Sequence, residues 1–232
     1  FGETGANGVT VTLTAGGADG QLSTTADNTT QTTTTAGDGN YLFTNLTPGQ
    51  QYQVTFGKPG GYNFTTADSG NDNSDSDADT VSGKSQIVTL ANGESNLTID
   101  AGLVAQKAAI GDHVWLDCNA NGIQDSGEVG VANVTVKLLN SAGTVIATQQ
   151  TNANGDYLFS NLNPGDYAVQ FEALAGYTFT TKDANGNLSD ASDSDADVVT
   201  GKTVYTTLSA GETDLTWDAG LTPVCRPVTF DF

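Results

Sequence analysis

The stretch "DCNANGIQDSGE" (117–128) carries oxygen-bearing side chains at a regular spacing. Asp117, Asn119 and Asn121 stand at positions 1, 3 and 5 of the pattern D-x-[DN]-x-[DN]-G-x5-E. Gly122 at position 6 permits a sharp turn. Ile123 at position 7 offers its backbone carbonyl, Asp125 sits at position 9, and Glu128 at position 12 can bind through both carboxylate oxygens. A hard cation such as Ca2+ takes about six to eight oxygens at about 2.3–2.6 Å, and this is the ligand order of the EF-hand loop. An EF-hand flanks the loop with helices. Here the flanks, "AIGDHVWL" and "VGVANVTVKLL", have the composition of strands. The loop chemistry needs converging oxygens rather than helices, so calcium is expected on a β scaffold.

Two further acidic runs, "NDNSDSDAD" (71–79) and "SDASDSDAD" (189–197), share an alternating spacing. Asp190, Asp193, Asp195 and Asp197 in the second run recur as Asp72, Asp75, Asp77 and Asp79 in the first. Like charges so closely spaced repel, so each run is either a solvated flexible loop or a holder of cations. The D-x-D-x-D spacing in both copies favours calcium. Spacing does not decide which carboxylates bind, or whether Asp68 or Asp183 joins them.

The elements that position these loops come in duplicate. "GETGANGVTVTL" (2–13) matches "GEVGVANVTVKL" (127–138), and "GNYLFTNLTPGQQYQVTF" (39–56) matches "GDYLFSNLNPGDYAVQF" (155–171). "GYNFTTAD" (61–68) matches "GYTFTTKD" (176–183), and "SDSDAD" and "DAGL" each occur twice. The segment "VTVKLLN" alternates, with Val134, Val136 and Leu138 on one face, as a half-buried strand does. "NANGD" and "NPGD" supply turns. Six to seven short strands per repeat predict an all-β chain of two tandem Ig-like β-sandwiches. With strands running alternately up and down, the loop at 118–131, the turn "TNANGD" and the loop at 176–201 fall at one pole, where the last strand, 213–221, also leaves.

The ordered motifs "IGDHVWLDCNANGIQDSGEVGVANVTVKLLN", "TNANGDYLFSNLNPGDYAVQF", "SDASDSDAD" and "DAGL" resemble SdrD B-like domains, which are related to the Cna B-type fold. The resemblance covers nearly the whole chain in two copies. It implies calcium-binding, stalk-like modules of an extracellular bacterial surface or fibre protein, with adjacent modules of the same protein as partners. Calcium at the exit pole would then stiffen a flexible string of modules into a rod. Related Cna B-type domains form Lys–Asn isopeptide bonds. Here the first strand has no Lys, and the residue matching Lys137 is Thr12, so no repeated isopeptide is expected.

The expected division is residues 1–103 as a sandwich lacking its first strand, 104–109 as a linker, 110–221 as a complete sandwich and 222–232 as a tail. Only Glu3 remains in the first unit of that unit's EF-type loop. The tail "VTFDF" stands where a third unit's first strand would begin, or supplies a donor strand to the next chain in a head-to-tail fibre. The bland alternative is a window cut from a longer protein, and the absence of Met points to a processed form or a fragment. Cys118 and Cys225 both fall at the exit pole, so a Cys118–Cys225 disulfide is expected, with free or intermolecular thiols as the alternative.

Charge and composition narrow the function. Lys and Arg total 7 against 27 Asp and Glu, a formal net charge of −20, which leaves no basic face for nucleic acid. No apolar run is long enough to span a membrane. The single His, His113, lies within a strand and no nucleophile elbow accompanies it, and the abundant paired acids that a glycosidase would use fall into calcium-loop patterns, so no enzyme is expected. A module binding a host or matrix ligand or a glycan is the remaining rival. Trp115 and Trp217 are candidates for its platform, although aromatics in alternating strands are more often core.

Overall fold

The computed structural model describes residues 3–72, 75–184 and 191–224. The chain divides into two compact units, Phe1–Ala105 and Gln106–Phe232. Among the described residues, the regular elements are all strands apart from one 3-10 turn at Gly17–Asp19.

Unit 2 contains β7 (Ala108–Leu116), β8 (Thr135–Asn140), β9 (Val145–Gln150), β10 (Asp156–Leu162), β11 (Gly165–Glu172), β12 (Tyr177–Phe179), β13 (Thr206–Leu208), β14 (Thr213–Asp214) and β15 (Ala219–Pro223). One sheet has the order β10-β7-β15-β12, with β14 also on β7, and the other has the order β13-β11-β8-β9. β7 runs antiparallel to β10 and parallel to β14 and β15. The period of two along each strand sends alternate side chains inward. Val134, Val136 and Leu138 are therefore fully buried and meet Ile110, Val114, Val169 and Phe171 in one core. Tyr157 stands edge-to-face against Phe171, with ring centroids 5.5 Å apart. Trp115 and Trp217 are buried as well, which leaves neither ring as a surface platform. Lys137 pairs with the Glu172 carboxylate.

Unit 1 contains β1 (Thr10–Ala15), β2 (Thr29–Thr34), β3 (Gln51–Phe56), β4 (Tyr62–Phe64), β5 (Val88–Thr89) and β6 (Leu103–Ala105). Its sheets are β2-β1-β3-β5 and β4-β6. Val11, Leu13, Tyr52, Val54 and Phe56 form a core that repeats the alternation of unit 2. Among the described residues nothing in unit 1 matches β7. The segment "NYLFTNL" (40–46), which matches β10, forms no strand beyond a bridge at Asn40. A groove of about 260 Å³ lies between that segment and residues 96–100, lined by Tyr41, Leu42, Phe43, Leu97 and Ile99.

The strand pattern departs from the sequence expectation in three places. The segment 104–109, expected as a linker, is largely strand, because β6 reaches Ala105 and β7 begins at Ala108. Ala108 and Ala109 are buried and pair with Leu162 and Thr213, which draws them into the second sandwich. The loop at 176–201 opens with β12, paired with β15. The expected strand 213–221 is split into β14 and β15. At the break the Asp218 N–H donates to Asp195 Oδ2 and the Tyr157 hydroxyl donates to the Trp217 carbonyl, so backbone groups turn to side chains.

Candidate functional site

The EF-type loop starts at the end of β7. Asp117 is fully buried. Its Oδ2 accepts hydrogen bonds from the Gly122 N–H at 2.8 Å and the Thr180 hydroxyl at 2.5 Å, and its Oδ1 accepts from the Asn121 N–H at 3.3 Å. One short side chain thus closes the turn that the sequence pattern requires. Gly122 adopts a φ of +81°, and a Cβ there would meet the Thr181 carbonyl oxygen at 2.5 Å. Both the turn and the close approach require glycine at position 6.

The remaining loop side chains fold toward the same turn. Asn119 and Asn121 each donate a side-chain amide to Asp125 Oδ2, at 2.8 and 2.9 Å. Their carbonyl oxygens accept from the Asn121 and Ile123 N–H groups. Glu128 accepts from the Cys118 and Asp125 N–H groups, so position 12 reaches back to positions 2 and 9.

The acidic loop of unit 2 is laced to this loop by backbone hydrogen bonds. The Gln124 N–H donates to the Ser192 carbonyl at 2.7 Å, and the Ser194 N–H donates to the Gly122 carbonyl at 3.1 Å. Ile123 bridges to Asp193. The Asp117 N–H donates to the Leu221 carbonyl on β15, so both loops lie at the end of the sandwich toward which β15 runs. The common pole expected from strand alternation is present in these contacts.

The acidic residues divide into buried and turn-capping groups. Asp193 and Asp195 are buried, at 1% and 3% exposure. Asp197 instead caps its own turn, with Oδ1 accepting from the Thr200 N–H and hydroxyl at 2.8 Å each. Those bonds hold its carboxyl below the ordinary range. Asp183 is ion-paired with Lys182 at 2.6 Å. In unit 1, Asp77 is buried and accepts from the Asp100 N–H at 2.7 Å and the Gln86 amide at 2.9 Å. Asp75 accepts from the Gly70 N–H, Asp79 caps a turn through Ser82, and Asp72 and Glu3 are exposed. Asp190 and Cys225 lie outside the described residues, as does the 225–232 part of the tail. Cys118 is exposed.

Two site residues were not singled out from the motifs. Asp218, the first residue of the second "DAGL", is fully buried. Its Oδ1 accepts from the His113 N–H at 3.0 Å, while Oδ2 has no hydrogen-bond partner among the described residues. Burial first, and Asp112 next, push its carboxyl up to about 9. Asp112 lies on β7 in the inward parity of the buried Ile110 and Val114. That parity was readable in the sequence, because an acid at an inward strand position is a costly choice.

Among the described residues no three His, Cys, Asp or Glu side chains converge closely enough to form a ready metal cage. The donor set nevertheless suits calcium. The oxygens are hard, the EF-type turn is formed, and one buried carboxyl oxygen of Asp218 has no hydrogen-bond partner among the described residues. The residues therefore fit the ion. His113, the lone histidine, holds Asp156 at 2.9 Å, which accounts for it structurally.

Fold and loops together define a tandem module built on a β-sandwich with an EF-type acidic loop at one pole. The chain belongs to the SdrD B-like domain family, matching it over residues 1–103 and 108–221. It is 40% identical over 199 residues to serine-aspartate repeat-containing protein D of Staphylococcus aureus, covering 80% of this chain and 14% of that protein. It is 42% identical over 174 residues to serine-aspartate repeat-containing protein F of Staphylococcus epidermidis, covering 74% of this chain and 10% of that protein. The chain thus spans a small part of these relatives. Among solved structures it is similar in fold to the Bacillus anthracis TIE protein, with a TM-score of 0.51 and 13% identity over 95% of this chain and 32% of that one.

Proposed function

We propose that the chain is a pair of calcium-stabilised structural modules from an extracellular bacterial surface or fibre protein, serving as spacer and stiffener rather than as an enzyme. The observation that carries this reading is the EF-type loop of unit 2. Its turn is closed around the buried Asp117, and it is bonded to a second acidic loop at the end toward which the last strand runs. A cation held there would offset the repulsion among the acids and tie the two loops to β7 and β15. Oxygens from Asp117, Asn119, Asn121, Ile123, Asp125 and Glu128 would hold one ion. Asp193 and Asp195 would contribute to another, as would Asp75 and Asp77 in unit 1. Bound calcium supplies charge compensation and rigidity; the chain's own contribution is the pre-formed turn.

The deciding measurement is metal content together with thermal melts in calcium and in chelator. Unit 2 should melt higher in calcium, and a melt that ignores calcium would remove the reading. Small-angle scattering should give a longer, less variable maximum dimension in calcium if the ion stiffens the chain of modules.

Assembly by strand addition is a second reading, favoured by the apolar groove of unit 1. Sizing at high concentration tests it, and a strictly monomeric chain would count against it.

A further inference from the structure

The two units differ where β1 ends. In unit 2 the matching strands, β8 and β9, are joined by the tight turn 141–144. In unit 1 the same connection, from β1 to β2, runs through residues 16–28, "GGADGQLSTTADN". The connection into β3 is also longer, with "TPGQQY" standing against "NPGDY", so that Gln50 has no counterpart. The two insertions meet. The Gln50 amide donates to the Gly17 carbonyl, the Leu22 N–H donates to Gln51 Oε1 at 3.0 Å, and the Gln51 N–H donates to the Gly20 carbonyl at 3.0 Å. Gly17, at a φ of +61°, lets the loop close on Asp27, whose carbonyl oxygen a Cβ there would meet at 2.2 Å.

Between the insertions lies a pocket of about 460 Å³, within the range of about 300–1,000 Å³ that small-molecule sites occupy. Its polar wall is Asp27, Thr29, Gln31, Asn45, Thr47 and Gln50. Asp27 Oδ2 holds the loop, accepting from the Ala18 and Asp19 N–H groups at 2.8 and 3.3 Å. Asp27 Oδ1 is shielded from solvent and has no hydrogen-bond partner among the described residues. Nor do the Thr29 and Thr47 hydroxyls or the Gln31 amide have a partner there.

An acceptor buried without a donor is costly, and a ligand that brings the donor recovers that cost on binding. Asp27 is the one charged residue of the wall, and the whole chain carries a formal net charge of −20, so an anion is disfavoured. A cation would use the carboxylate and leave the amides and hydroxyls idle. A carboxylate, amides and hydroxyls together match a neutral molecule whose groups both donate and accept, which sugar hydroxyls do. Tyr52 is only 2% exposed and its hydroxyl is bonded to the Thr47 backbone and Gln50 Oε1, so recognition here rests on hydrogen bonds rather than ring stacking.

We propose that this pocket of unit 1 binds a short neutral saccharide, with the Asp27 carboxylate as principal acceptor and Thr29, Gln31 and Thr47 completing the contacts. The site is independent of the calcium reading. β3 leaves the pocket at Gln51 and ends at Phe56, whose N–H reaches the Gly83 carbonyl beyond the acidic run.

The test is titration of the isotope-labelled full chain, followed by amide chemical shifts, with the methyl glycosides of glucose, galactose, mannose and N-acetylglucosamine. Sialyllactose and lysine amide serve as the anionic and cationic arms. At least one neutral glycoside should shift amides within 16–31 and 45–52 and leave unit 2 unmoved. Asp27→Asn should weaken that binding at least tenfold, as expected for a hydrogen bond to a charged group. Thr29→Val and Gln31→Ala should each weaken it about 2–10-fold. Those two side chains hold nothing in the protein, so a purely structural role would not produce that loss. Should Asp27→Asn disturb the fold, they decide alone. No shift from any neutral glycoside, shifts outside the pocket, unchanged affinity in Thr29→Val and Gln31→Ala, or tighter binding of either charged arm would each overturn the proposal.

Discussion

Units 1 and 2 carry nearly the same core residues and differ in the strand that closes the sandwich. Val11, Leu13, Tyr52, Val54 and Phe56 are buried in unit 1 as Val136, Leu138, Tyr167, Val169 and Phe171 are in unit 2. Yet "YLF" is strand in unit 2, beside β7, and is not strand in unit 1. The residues are the same, so the partner decides. A strand's stability is that of its cross-strand pairs and its ladder, not of its own composition. Leu42 and Leu97 are exposed in unit 1, as their counterparts Leu158 and Leu215 are in unit 2, whereas Asp100 lies in solvent and the matching Asp218 is buried.

The comparison can be broken at several points. The largest effect is expected in the core. Phe171→Ala should cost unit 2 about 3–5 kcal/mol, and Phe56→Ala should cost unit 1 about half as much, since an open core relaxes around the cavity. Denaturant melts of the separate units would check this, and equal losses would show that unit 1 is as well closed as unit 2. Asp117→Ala should cost unit 2 about 2–3 kcal/mol by leaving the Gly122 N–H and the Thr180 hydroxyl without their acceptor. The unit 1 transition should not move. Gly122→Ala should cost about 1–3 kcal/mol through its positive φ and the Thr181 contact, and should weaken calcium binding in titration.

The smallest effect concerns His113 and Asp156. The hydrogen bond from His113, then that from Asn152, lowers the Asp156 carboxyl. A lowered carboxylate stabilises the fold above its unfolded value of about 3.9, and that contribution fades as pH falls through the lower folded value. Asp156 is half exposed, so solvent screening keeps Asp156→Asn to about 0.2–1 kcal/mol at neutral pH. The difference should shrink progressively in acid melts as the pH falls below the unfolded value and through the lower folded one.

Much of the fold was legible in order and spacing. The repeated "GDYLFSNL" and "VTVKLL" segments identify strands, and the period of two places Val134, Val136 and Leu138 inside. The EF-type pattern marks its own turn, because Asp117, Gly122 and Glu128 act within twelve consecutive residues. Thr180 was not legible as the hydroxyl partner of Asp117, being 63 residues away. Asp197 looked equivalent to Asp193 and Asp195 in the run, but the turn through Thr200 claims it.

By itself, then, the amino-acid order determined the all-β class, the two repeats and the local loop chemistry, since each depends on interactions between near neighbours. Tertiary structure decided which acids are buried, where "YLF" becomes a strand, and that Asp218 meets Asp195 and His113 at one pole. Those outcomes turn on β7 lying between β10 and β15, a juxtaposition of distant segments that no local spacing encodes.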